Sequence, residues 1–155
     1  MPRLPPPHSP IVANLSLAGL AVFSVVALTV QWLRVDLFWM KAPLSFYLVG
    51  EYGGWLKAAY VGLALALLLV GLQFRHALRP GARSDLAPWL FGTSALAVLI
   101  TAFAETHLPG TTKTTAGFVH AVAAPIAFLT VTVGMLLQSW HLRYDAAWRK
   151  RFGIA

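Results

Sequence analysis

The stretch IVANLSLAGLAVFSVVALTVQWL, residues 11–33, contains no charged side chain. As a helix rising ~1.5 Å per residue it covers roughly 35 Å, enough to cross the ~30 Å hydrocarbon core of a bilayer. It is too long for a signal-peptide core, and Arg3 is the only Lys or Arg before it. It therefore reads as a retained membrane span. Three further apolar runs follow, at 55–74, 88–104 and 117–140, the third of the four being the shortest. The fold class expected is all-α: an integral membrane four-helix bundle.

Composition points the same way. Of 155 residues 58% are hydrophobic and 11% charged, whereas a soluble domain carries about 25% charged residues. Mean hydropathy is +0.69. One compact membrane unit is expected, with residues 1–10 as a disordered N-terminal arm, 11–141 as the membrane domain and 142–155 as a basic tail. The absence of cysteine excludes disulfides, thiolate metal sites and cysteine nucleophiles. The net charge of +7 does not indicate nucleic acid, because the cations stand at the ends of apolar runs and form no stripe.

Those cations set an orientation. With the N-terminus inside, Arg3, Arg75, Arg79, Arg83, Arg143, Arg149, Lys150 and Arg151 are cytoplasmic. Arg34, Lys41, Lys57 and Lys113 are outside, so the excess lies inside and both termini are placed there (N-in/C-in). Trp32, Trp39 and Trp55 mark the outer interface, and Trp89, Trp140 and Trp148 the inner one. The cytoplasmic (inner) membrane is the expected location. Ala58, Gly62 and Ala66 in the second span, and Ala123 and Ala127 in the fourth, are spaced to let helices approach closely in lipid. Residues 75–87 make a short basic inner loop that turns at Pro80 and Gly81. Residues 34–54 are too apolar for a solvated loop and too broken by Pro43, Gly50, Gly53 and Gly54 to span, so they are expected to cap the outer mouth.

The candidate site follows from FAETHLPGTTKTTAGFVH, residues 103–120. Glu105 ends the third span, where the helix dipole disfavours an anion, and His120 lies just inside the fourth. Pro125, lacking an N–H, frees the carbonyl of Ala121 one turn below that imidazole. Glu105, His107 and His120, with Asp36, Tyr47 and Glu51 from the outer segment, are the candidate ligand-binding residues of an outward-facing polar pocket. The simpler reading pairs Glu105 with Lys113 across the turn, leaves His107 in solvent, makes His120 a helix-bridging donor, and has Asp36 neutralise Arg34. No metal site is assigned, since Glu-x-His with one distant His is a weak ligand pattern. Two histidine pairs, His76 with His141 and His107 with His120, would suit b-type haems, but His76 and His141 belong at headgroup level among cations. No nucleophile elbow or Gly-rich phosphate loop is present, so no catalytic residue is assigned.

Two stretches carry a family resemblance: LSFYLVGEYGGWLKAAYVGLAL, 44–65, and FAETHLPGTTKTTAGFVHAVAAPIAF, 103–128. They resemble the bacterial and archaeal membrane family called domain of unknown function 998. The matching positions are Ser45, Tyr47, Gly50 and Gly53, then Glu105, Gly110, Thr115, Gly117 and His120. Members often have Asp after a Pro-Thr pair where Glu105 stands here, and many have six spans where four are read here. The resemblance implies a helical multi-span protein of unassigned role. The expected function is binding of a small amphipathic or lipid-like molecule in the outer pocket, with no cofactor and the lipid bilayer as surroundings. The alternatives are an accessory subunit docked on a membrane partner protein, and a haem- or metal-binding redox protein.

Overall fold

The computed structural model describes residues 10–78 and 80–145. Residues 1–9 of the expected N-terminal arm, the end of the basic tail, Arg79 and Trp148 lie outside these residues, while Pro10, read as part of the arm, begins the first helix. The chain forms four α-helices: α1 (Pro10–Leu33), α2 (Gly53–Ala77), α3 (Ala87–Phe103) and α4 (Thr115–Leu142). Short 3₁₀ turns occupy Leu44–Leu48 and Pro80–Ala82. Helices α1, α2 and α4 are each long and apolar enough to cross a membrane. The 17 residues of α3 give roughly 26 Å, near the lower limit for a span. Since α3 links the basic end of α2 to the opposite end of α4, it must traverse the same slab. The protein is a multi-pass membrane protein.

Each helix packs antiparallel on the next. Between α1 and α2, Gln73 Nε2 donates to Ser16 Oγ at 3.0 Å, and Phe23 meets Tyr60 edge-on at 5.2 Å. A Cβ added at Gly19 would lie 2.9 Å from Ala66 Cβ and 3.1 Å from Gly62 O, so the expected small-residue face does form a close helix contact at Gly62 and Ala66. Ala58, read as part of that face, is exposed. On α3 and α4, Ser94 Oγ donates to Ala127 O at 2.9 Å, and Ala123 and Ala127 are buried as expected. Among the described residues α1 and α4 do not pack on one another as the sequential pairs do. The bundle is therefore open along one side.

The two ends are held differently. At the cap end, named for residues 34–52 that cover it, Tyr47 is fully buried in a cluster with Ala27, Val30, Leu48 and Leu56. Arg34 donates to both carboxylate oxygens of Asp36 at 2.7 Å and to the carbonyl of Val49 at 2.8 Å, tying this segment to the end of α1. Gly53 is required there, since a Cβ would stand 2.4 Å from Leu48 O. At the basic end Gln138, 1% exposed, donates to Ala82 O at 3.1 Å and accepts from Ser84 N at 3.2 Å. Trp32, Trp39 and Trp55 are exposed around the cap end, Trp89 and Trp140 around the basic end. These are the two belts expected of a spanning protein.

Candidate functional site

The open side of the bundle holds a cavity of ≈ 730 Å³. Leu20 and Phe23 of α1 face Ala124, Phe128 and Met135 of α4 across it, and α2 and α3 form its floor with Leu67, Phe74, Phe91 and Val98. Pro43, Leu44 and Ser45 of the cap reach its rim. Its polar lining is sparse: Tyr60, Ser94, Thr101, His120, Ser45 and Ser139. No Asp, Glu, Lys or Arg lines it.

His120 is the chemically distinctive group. It lies on the buried stripe of α4 with Gly117, Ala123 and Ala127 and is 4% exposed. Its Nδ1 is 2.8 Å from the carbonyl of Ala104. A carbonyl only accepts, so Nδ1 carries the proton and a neutral ring keeps a lone pair on Nε2. Among the described residues Arg143 Nε is the enclosed side-chain polar atom that has no partner. His120 Nε2, which also has none, is therefore not sealed in, and His120 lines the cavity. The hydroxyl protons of Ser94 and Thr101 go to the carbonyls of Ala127 and Ala97, leaving oxygen lone pairs. Tyr60 and Ser45 have no side-chain hydrogen bond among the described residues and supply the donors.

Of the six residues expected to gather in a polar pocket, His120 lines this cavity and the others do not. Glu105 is exposed and has no hydrogen bond or ion pair among the described residues, so neither the Glu105–His120 nor the Glu105–Lys113 pairing forms. The reason is the end of α3. The helix stops at Phe103, and Ala104 adopts extended backbone (φ −79, ψ 111). This swings Glu105 outward and turns the Ala104 carbonyl, an acceptor left over at the helix end, toward the imidazole.

His107 is a loop staple: its Nε2 accepts from Thr114 N at 3.3 Å. Gly117 makes room for it, since a Cβ there would meet the imidazole at 2.5 Å. Thr114 in turn caps α4, accepting from Gly117 N at 3.1 Å. Asp36 is spent on Arg34, whose guanidinium, hydrogen-bonded to it, holds its carboxyl below the usual carboxylate range. The Tyr47 hydroxyl donates to Leu37 O at 3.3 Å, and the backbone carbonyl of Glu51 accepts from Arg34 at 3.1 Å. Pro125 sits within a single continuous α4. It and Ala121 are exposed while His120 is buried, so proline and imidazole occupy different faces.

Ser94, Thr101, Tyr60 and Gln138 escaped the sequence reading. Their signal was present, since uncharged polar residues inside apolar runs need partners in lipid. No group of three His, Asp or Glu side chains among the described residues is placed to hold a metal.

The family model described as "Protein of unknown function (DUF998)" matches residues 17–155, which covers α2, α3, α4 and most of α1. Comparison with curated proteins and with solved structures gave no match.

Proposed function

The chain belongs to the DUF998 family, and from that premise we propose that it binds one small amphipathic molecule from the lipid phase in the side cavity between α1 and α4. The observation that carries the reading is a cavity of ≈ 730 Å³ whose apolar wall holds one buried imidazole with an open lone pair. Ligand sites are typically ~300–1,000 Å³, mostly apolar, with a few placed polar groups. Tyr60, Thr101 and His120 all lie toward the cap end. The polar head is thus received there and the apolar tail runs toward Phe74 and Met135. By the distribution of Lys and Arg, the cap end faces outward from the cytoplasmic membrane.

The test is native mass spectrometry of the protein released from mild detergent. Wild type is expected to retain one small molecule, and Leu20→Trp, which fills the cavity from a position already 38% exposed, to lose it. Glu105→Gln is expected to leave occupancy unchanged. Equal retention in wild type and Leu20→Trp would remove the cavity as the binding site.

A further inference from the structure

Building on the cavity reading, we infer that the preferred occupant is a single-chain neutral amphiphile whose head donates a hydroxyl hydrogen bond to His120 Nε2. The argument is one of hydrogen-bond valence. Nδ1 is committed as a donor to Ala104 O at 2.8 Å, which leaves Nε2 as the acceptor. Ser94 and Thr101 have already given their protons to helix carbonyls at 2.9 and 2.8 Å. The head region therefore offers several lone pairs and two hydroxyl protons, from Tyr60 and from Ser45 at the rim. A hydroxyl donates to one of those lone pairs and can accept from Tyr60. A carboxylate or a phosphodiester has no proton to donate and would need several donors.

Charge selects in the same direction. His120 is five residues beyond Thr115, where α4 begins, so it lies roughly 7.5 Å along the helix from its end. No cation or anion lines the cavity. A charged head brought to that depth would lose water without gaining a counter-ion, a cost that neutral hydroxyls largely escape. The cavity volume of ≈ 730 Å³ suits one acyl or isoprenoid chain. The chemical class is thus a long-chain alcohol or a monoacylglycerol.

The decisive experiment compares equilibrium binding of four probes to the purified full-length protein at pH 8. They are 1-monooleoylglycerol, its di-O-methyl ether, oleate and oleoyl-lysophosphatidylcholine. The ether keeps the shape and removes the donors. Wild type is expected to bind monooleoylglycerol about fivefold more tightly than the ether, the size of one net hydrogen bond, and more than tenfold tighter than either charged probe. In His120→Leu the alcohol–ether difference is expected to fall below twofold.

Equal affinity for alcohol and ether in wild type, or tightest binding of oleate, overturns the inference. This arm needs no variant, so a folding defect in His120→Leu cannot hide the answer. Leu20→Trp separates the two levels. If it weakens all probes while alcohol and ether bind alike, the cavity reading stands and the head-group inference falls. If it weakens none, both fall.

Discussion

Helix α1 has two flanks with opposite fates. Toward α2 it presents Ser16, Gly19, Ala27 and Val30, and the backbones close until Gly19 has no room for a side chain. Toward α4 it presents Leu20, with Phe23 at the border edge-on to Tyr60 of α2, and a cavity separates the helices. Both flanks are apolar, so hydrophobicity does not distinguish them. In lipid, where apolar burial gives little drive, small residues and interhelical hydrogen bonds decide which helices touch. The α1–α2 seam has both, with Gly62 and Ala66 opposite Gly19 and Gln73 reaching Ser16. Across the α1–α4 gap Ala124 faces the bulky Leu20 and Phe23, and no hydrogen bond crosses it among the described residues.

The contrast breaks most severely at Gly19. Gly19→Leu would force apart the α1–α2 contact, with a loss of about 3 kcal/mol as for overpacked cores, read as a lowered melting temperature in detergent. Gln138→Leu comes next. It strands Ser84 N–H and Ala82 C=O, both paired among the described residues through that side chain, and about 2 kcal/mol is expected together with earlier proteolysis in residues 78–86. Ser94→Ala removes the interhelical bond to Ala127 O and should cost only about 0.6 kcal/mol, the usual worth of such a bond in a membrane. Thermal melting of Ser94→Ala beside Gly19→Leu therefore tests whether close approach outweighs hydrogen bonding at these seams.

The smallest effect is at the exposed Arg34–Asp36 latch. Asp36 has a lowered carboxyl pKa in the fold. Its contribution is full above the unfolded carboxylate value of about 3.9 and is lost as pH falls through the lower folded value. Stability measured from pH 5 downward should therefore decline more steeply in wild type than in Asp36→Asn.

Much of this architecture was legible in one dimension. Uncharged runs marked the spans, Lys and Arg marked the ends, and the tryptophan belts and the Gly62/Ala66 and Ala123/Ala127 faces stand where spacing placed them. The site was less legible. His120 was singled out because an ionisable group in an apolar run must have a reason, and it lines the cavity. Its partner was missed because α3 ends one residue earlier than hydropathy suggests, which substitutes the Ala104 carbonyl for the Glu105 carboxylate. His107 and Asp36 look like ligands in sequence because their residue types are versatile. Their nearest partners, Thr114 N–H and Arg34, consume them.

The sequence by itself determined that this is a helical multi-pass membrane protein and which end of each helix is basic. Span length and charge placement are local sums along the chain, set by bilayer thickness. Only the tertiary structure decided that α1 stands off from α4, that a cavity fills the gap, and that one imidazole enters it with its acceptor nitrogen free. Lateral helix order and the direction of a lone pair depend on partners distant in sequence, and no local sum contains them.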